Sequence, residues 1–466
     1  MAGARNGAFA LSLLSSWWSD LGRLADRALD RQIRLAVTGL RRAGKTVFVT
    51  ALVRHLLDAQ GLPFLRAVHE QRYLGARLLP VDRGEAFPFE RYEAALEREP
   101  PHWPEPTERL FRLRLALRFR GESALAQAIR PVRELELEIV DYPGEWLLDL
   151  PLLEASFEEF SYEAFALAAV PPRAELARAW LARAHGLDQS SPPDPRALAE
   201  LVCAYRDYLR ACRERLGLFY VVPGRFVAPG EPEDHPALRF APLPPAPLRP
   251  GSLRAAVVEA FERYREEFVR RFYDEHFRGF DRQIVLVDLL SALNAGPAHF
   301  ADLARALERL SRSFRYGRSS LFARLFAPKI DRVLFAASKA DHVASSQHAA
   351  LTELLRVLVA PVGRAARFEG LEPRFLAISA VRATDEVRTT YDGQVLSCVK
   401  GRLAEEGREV VLFPGEIPPE PPEPADWESG RFRFRAFAPR RLVPGRPAPH
   451  IRLDQALEFL IGDKLR

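Results

Sequence analysis

At 466 residues the chain exceeds one ordinary domain, and 48% hydrophobic with 28% charged residues suits a globular protein with a large core. The formal net charge of +5 is small for this length and almost wholly arginine-based, so charge gives no argument for a nucleic-acid partner. Cys203, Cys212 and Cys398 form no paired framework and no metal-ligand spacing, the pattern of a reducing cytoplasm, and no apolar run reaches a membrane span.

The first 30 residues open with Arg5 and a short apolar run, 8–14, that lacks a small-residue cleavage site and resembles a signal peptide poorly. Phe9, Leu13, Trp17 and Leu21 recur at i+4, as do Leu14 and Trp18, which predicts an amphipathic helix. Such a helix packs on the following domain or lies on a membrane surface. The apolar strand 33–37 comes next, then Gly39-Leu40-Arg41-Arg42-Ala43-Gly44-Lys45-Thr46 and a helix over 47–57. This G-x-x-x-x-G-K-T pattern predicts a phosphate loop. Its two glycines let backbone N–H groups turn toward phosphate oxygens, Lys45 reaches the β/γ-phosphates, and the Thr46 hydroxyl suits Mg²⁺. Arg41, Arg42, Ala43 and Val47 complete the expected nucleotide contacts, at the positive end of the helix. One arginine of the loop is a candidate arginine finger in cis, against the plainer reading of a solvated side chain.

Residues 62–112, rich in Pro, Arg and aromatics, read as an insertion. Strands follow at 113–119 and 135–140, the second ending in Asp141-Tyr142-Pro143-Gly144. A longer, mostly helical insertion covers 150–280, with Pro-rich breaks and a loop or short hairpin at 223–230. Further buried strands, 284–287, 333–337 and 375–378, end in Asp288, in Ser338-Lys339-Ala340-Asp341, and in Ser379-Ala380. A Pro/Glu spacer at 414–427 precedes a terminal segment, 428–466, expected to pack back on the core; alternation over 431–435 predicts a strand with a basic face. This order predicts an α/β fold: a doubly wound, mostly parallel sheet covered on both faces, in two stretches, 31–149 and 281–413. Ligands then bind at the carboxyl ends of the strands, where every one of these motifs stands.

The D-x-x-G form of Asp141 to Gly144 supplies a carboxylate for Mg²⁺ and a glycine N–H for the γ-phosphate. Asp288 is a rival carboxylate. In Ser338-Lys339-Ala340-Asp341, Asp341 would accept hydrogen bonds from the guanine N–H and amino group, which adenine cannot offer, while Lys339 packs along the base. Ser338 stands where an amide is more usual. Ser379, Ala380 and Val381 form the short loop expected to meet the guanine oxygen. In the Ras-like GTPases that this motif order resembles, a mobile-loop hydroxyl joins the metal and a glutamine orients water; the resemblance makes Thr107 the candidate hydroxyl and puts Glu145 at the glutamine's place. A carboxylate there orients water but repels the γ-phosphate, which predicts slow hydrolysis. His342 beside Asp341 reads as a loop residue and not a base, His235 and His276 show no metal-ligand spacing, and Arg312, Arg315 and Arg318 around Tyr316 read as a solvated helix end.

The motif order is similar to that of translation-factor and Ras-like GTPases. The chain more closely resembles the YcjX-like family of bacterial P-loop proteins. The resemblance is carried by 34–39, Phe280-Asp281-Arg282-Gln283 with 284–288, Phe314-Arg315-Tyr316-Gly317, 334–342, Ile451-Arg452-Leu453-Asp454 and Gly462-Asp463-Lys464. It implies a Ras-like strand order, GTP/GDP and Mg²⁺ as ligands, a protein effector, and a cytoplasmic, stress-related role, with inner-membrane contact through the N-terminal helix as an option. Two other readings stay open: an ATP-using P-loop enzyme with insertions as substrate lids, and an interaction module that binds nucleotide to hold its fold.

Overall fold

The computed structural model describes residues 32–40, 42–105, 109–228, 234–315, 330–360 and 372–466. The expected N-terminal helix, Arg41, Thr107, Tyr316 and Arg318 therefore lie outside the described residues.

An eight-stranded sheet organises the molecule. Its strands are β1 (Gln32–Gly39), β2 (Tyr73–Leu79), β3 (Glu85–Ala86), β4 (Phe111–Phe119), β5 (Arg133–Asp141), β6 (Arg282–Val287), β7 (Arg332–Ala337) and β8 (Glu372–Ala377). They lie in the order β2-β4-β5-β1-β6-β7-β8, with β3 beside β4. From β5 across to β8 every neighbour is parallel, while β4 and β2 run antiparallel. Without β2 and β3 the order is the 2-3-1-4-5-6 of Ras-like proteins, as the sequence implies. Parallel strands need crossovers, so all their carboxyl ends share one edge of the sheet.

Alternation along β1 divides two cores. Ile33, Leu35 and Val37 pack with α1 (Lys45–Asp58), α2 (Phe89–Glu97) and the C-terminal helix Leu453–Ile461 on one face. Ala36 faces the other layer, which holds a 3-10 turn, Gly144–Leu153, and the helices that follow it. These are α3 (Phe157–Ala168), α4 (Ala174–Gly186), α5 (Pro195–Glu214), α6 (Leu253–Tyr264), α7 (Leu289–Ala295), α8 (Pro297–Arg315) and α9 (His348–Leu358). The last helix, Leu453–Ile461, is α10. Local signals start several of them. Ser156 and Glu159 form a capping box on α3, and Asp194 caps α5 with Pro195 in its first turn.

An aromatic cluster of Trp180, Tyr205, Phe226, Phe240, Phe261 and Tyr264 fills the centre of the helical layer. A buried ion pair ties it to α8. Asp302 Oδ1 lies 2.6 Å from Arg173 Nη2, and its Oδ2 accepts the N–H groups of Phe219 at 2.6 Å and Tyr220 at 2.9 Å. The terminal segment closes the opposite end of the sheet. Asp463 receives Arg282 Nη2 at 2.9 Å and Arg332 Nη1 at 3.0 Å, joining the starts of β6 and β7.

Three features differ from the sequence reading. The 62–112 stretch contributes edge strands β2 and β3 and helix α2 to the main sheet. A separate antiparallel sheet, β9 (Thr384–Tyr391), β10 (Gln394–Arg402) and β11 (Glu409–Leu412), follows β8. The strand expected over 431–435 is not formed. The segment runs extended with Phe432 and Phe434 buried against the main core, and its nearest pairing is an isolated bridge of Phe437 with Leu403. Alternation there reflects burial of one side without a partner strand, because β10 is already paired on both sides. Over its described residues, 223–228, the stretch read as a loop or short hairpin is a loop that carries a buried 3-10 turn, Gly224–Phe226.

Replacing Asp302 by Ala strands the Arg173 guanidinium and two backbone N–H groups in the interior. The expected loss is about 3–5 kcal/mol of unfolding free energy, read from urea denaturation; a loss within about 0.5 kcal/mol would refute the buried-pair account.

Candidate functional site

The phosphate loop leaves the end of β1 at the parallel edge. Gly44 caps α1 at φ 82° in the left-handed region, a conformation that suits glycine, and among the described residues no side chain caps that helix. The first-turn N–H groups of α1 thus keep their donor capacity for an anion. Arg42 is also left-handed, at φ 61°, and exposed. Lys45 folds back, its Nζ 3.4 Å from the Gly39 carbonyl oxygen. Thr46 is buried and its hydroxyl donates to the Glu105 carbonyl at 3.1 Å, so the stretch leading toward β4 crosses the loop at the threonine. Thr107 itself is two residues beyond that contact, outside the described residues.

Register puts Asp141 of β5 opposite Val37 of β1, next to the start of the loop. The residue is 1% exposed. Three residues on, the backbone of Gly144 lies against the loop itself. A Cβ on Gly144 would stand 2.3 Å from the Gly39 carbonyl oxygen and 3.3 Å from the Leu40 nitrogen. Gly39 is enclosed from the other side as well, where a Cβ would meet the Leu286 carbonyl oxygen at 2.8 Å. Glycine is therefore demanded at both positions by close approach of backbone to backbone. The hard oxygens of Thr46 and Asp141, together with the uncapped helix end, are a donor set that fits Mg²⁺ and phosphate.

The next turn is built against the helical layer. Glu145 is buried and pairs with Arg213 of α5, Oε1 to Nη2 at 3.2 Å. The backbone of Glu145 is covered by Gly224, where a Cβ would lie 2.3 Å from the Glu145 carbonyl oxygen. Trp146 Nε1 donates to the Ala228 carbonyl at 2.7 Å, and the Arg225 guanidinium stacks 3.4 Å from the centre of its ring. Asp149 accepts the Gly224 N–H at 2.8 Å and the Tyr264 hydroxyl at 2.5 Å. Full burial pushes the Asp149 carboxyl up to about 6 from 3.8, against the opposing pull of these hydrogen bonds and of Arg225 and Arg309.

At the far side of the edge, Ser338 follows β7 and donates its N–H to the Val287 carbonyl at 2.9 Å. Lys339 is left-handed at φ 60° and its Nζ binds Asp288 Oδ2 at 2.5 Å. Asp288 also receives Ser291, N–H at 3.1 Å and Oγ at 2.6 Å, as the cap of α7. Burial works against the Asp288 anion, but Lys339 and Ser291 outweigh it and hold the carboxyl below its usual range. This rival carboxylate is thus committed to the lysine beside it. Asp341 is buried and accepts the Ala383 N–H on Oδ2 at 2.7 Å, which ties the motif to the start of β9. Ser379 exchanges backbone hydrogen bonds with Ile451, at 3.0 and 2.8 Å, and its hydroxyl donates to the Val381 carbonyl at 3.1 Å. Ala380 lies between them and is half-buried.

Of the histidines, His342 directly follows Asp341. His342 packs edge-on to Phe437, and burial lowers its pKa. His235 Nδ1 accepts the Ala237 N–H. His276 sits 2.9 Å from Arg112 Nη2, where burial and then the charges of Arg112 and Arg34 push it down to about 3. Among the described residues no group of three or more His, Cys, Asp or Glu side chains is arranged to hold a metal, and no helix is long and apolar enough to cross a membrane.

The structure thus brings Gly39, Leu40, Arg42 to Val47, Asp141, Gly144, Ser338 to Asp341 and Ser379 to Val381 to one sheet edge in Ras-like order, which defines a P-loop protein of the GTPase fold. The YcjX-like family profile (DUF463) matches residues 33–465, and the chain belongs to that family. It is 43% identical to the "Ras-like GTPase YcjX" of Escherichia coli (strain K12), over 96% of this chain and 99% of that protein. It is 39% identical to the "Ras-like GTPase YcjX" of Shewanella oneidensis, over 95% and 96% respectively.

Arg213, Gly224 and Asp149 were not singled out from the sequence, because they lie in or against the helical insertion and follow no spacing rule. Gly224 carried the one available signal, a glycine inside a Pro-flanked turn.

Two outcomes follow from this geometry. Gly144→Ala drives a methyl group into the Gly39 carbonyl and should weaken binding of fluorescent GDP by about tenfold or more, about 1.4 kcal/mol at least. Unchanged affinity in a folded variant would contradict the close approach. Asp149 keeps its proton longer in the folded chain than in the unfolded one, so its contribution to stability falls as pH rises from 3.8 to about 6. Asp149→Asn imitates the protonated form. Urea midpoints should therefore show wild type losing stability relative to the variant across that window, by on the order of 3 kcal/mol in total; parallel curves would refute it.

Proposed function

We propose that the chain binds guanine nucleotide at the phosphate loop and hydrolyses GTP slowly, as a switch in a cytoplasmic, stress-related process. The observation that carries this reading is the contact of Gly144 with Gly39, which sets the D-x-x-G turn directly on the phosphate loop. The Ras-like strand order and the names of the two relatives support it. The free state of all three cysteines is in keeping with a reducing compartment.

In this reading the N–H groups at the start of α1 hold the phosphates and Lys45 leaves the Gly39 carbonyl to reach them. Thr46 and Asp141 would hold Mg²⁺, with Thr107 as a further hydroxyl; the ion neutralises charge on the β- and γ-phosphates when bound. Gly144 offers its N–H toward the γ-phosphate. Arg42, exposed in the same loop, borders the phosphates from the solvent side. Asp341 takes the guanine N–H and amino group on the oxygen not used by Ala383, and Ser379 to Val381 line the base. The effector and any membrane contact belong to the same proposal.

Guanine recognition is tested by equilibrium binding of fluorescent GDP competed by GTP, ATP and xanthine nucleotides, with and without Mg²⁺. Asp341→Asn retains an acceptor for the Ala383 N–H, so the fold should survive while preference moves toward xanthine nucleotide by about a hundredfold. Equal competition by ATP and GTP in wild type, or an unmoved preference in the variant, would exclude the guanine reading. Turnover without a partner faster than about one per second would exclude the slow-switch part.

A further inference from the structure

Glu145 occupies a position that calls for explanation. A carboxylate one residue after Gly144 would face the negative charge of a γ-phosphate, a repulsion that grows in a dry site. Its pairing with Arg213 answers that difficulty. The two side chains are 7% and 14% exposed, and Arg213 Nη1 donates at 2.7 Å to the Val227 carbonyl. Both backbones are anchored. Glu145 is pinned between Gly39, through Gly144, and Gly224, while Arg213 stands in the last turn of α5. A second observation puts that end of α5 at the mouth of the phosphate loop. A cleft of about 200 Å³ has Arg42 on one wall and Glu214, Arg215 and His299 on the others.

We propose that Arg213, delivered by the helical insertion, is a positioning residue for GTP hydrolysis: it orients Glu145 and cancels the charge that would set this carboxylate against the γ-phosphate. The inference rests on the hydrolysis reading above. In the step itself, the oxygen of a water bonds to the γ-phosphorus as the bond from that phosphorus to the β–γ bridging oxygen breaks. The bond's electron pair stays with GDP, and the proton of the water passes to Glu145 and on to solvent, leaving inorganic phosphate. Removing one member of a buried charge pair leaves the other uncompensated, so without Arg213 the carboxylate is both misplaced and repelled. The insertion thereby supplies in cis a cation that acts through Glu145, and closure of α5 on the D-x-x-G turn becomes a condition of turnover.

The test is a double-mutant cycle in the full chain, with single-turnover GTP hydrolysis and fluorescent GDP binding measured for each protein. Arg213→Gln should lose about tenfold or more in rate with GDP affinity within about twofold, and Arg213→Lys should recover part of the rate. In a Glu145→Gln background the same Arg213→Gln change should cost less than about threefold, because its role passes through the carboxylate. An equal loss in both backgrounds, or an Arg213→Gln rate equal to or above wild type, overturns the proposal. If Arg213→Gln melts below assay temperature, Glu145→Gln decides, since a wild-type rate in it shows that the carboxylate through which Arg213 acts carries no step and overturns the proposal. Wild type that binds GTP without turning it over removes the hydrolysis reading together with this one; wild type that turns over while the Arg213 variants match it removes this one alone.

Discussion

Three polypeptide segments meet backbone to backbone at the carboxyl edge of the sheet, and the rest of the site takes its shape from that contact. Gly39 at the end of β1 touches Gly144, and the carbonyl of the following Glu145 touches Gly224 from the insertion. Neither seam leaves room for a Cβ, and interiors this dense transmit a displacement instead of absorbing it. The loop that carries Lys45 and Thr46 and the insertion that carries Arg213 are therefore separated by one turn of chain, 144–145. A change in where Gly144 sits must alter both.

Buried charge is concentrated along this seam. Asp149 binds Gly224 and Tyr264, Glu145 binds Arg213, Arg225 stacks on Trp146, and Arg309 reaches the Leu148 carbonyl at 2.8 Å. Interior ion pairs contribute little net stability, since desolvation offsets the attraction, but they permit few geometries. Placed between a phosphate loop and a helical layer, such groups favour a defined arrangement over a strongly held one. The other half of the site follows the same rule. Lys339 is held by Asp288 and Asp341 by the Ala383 N–H, so the base-side loops are fixed to β6 and β9. The C-terminal segment reinforces them through Ile451 on Ser379 and Arg452 on the Ala377 carbonyl.

Legibility in the sequence followed the range of the interactions concerned. Strands β1, β6 and β7 are buried along nearly their whole length, their apolar runs and those that end β5 and β8 stand out in the sequence, and the phosphate loop is a motif of eight adjacent residues. Edge strand β2 was hidden, because only its first residue is buried and its pattern is that of a surface segment. The β9–β11 sheet was hidden for the same reason, with Val395, Val411 and Phe413 exposed. The alternation at 431–435 misled because one-sided burial against a helical layer produces the same period as a paired strand.

From its residues alone the chain specified the phosphate loop, the order of its motifs at successive strand ends, and hence the Ras-like sheet, since these depend on local backbone freedom and on hydrophobic runs. The fold decided what each charged group faces. That Glu145 meets Arg213, that Lys339 meets Asp288, and that Asp149 lies sealed beneath Gly224 are contacts across 68, 51 and 75 residues of chain. No periodicity encodes such pairs. They exist because packing of the insertion on one sheet face brings these side chains to the same small volume, where burial makes their pairing obligatory.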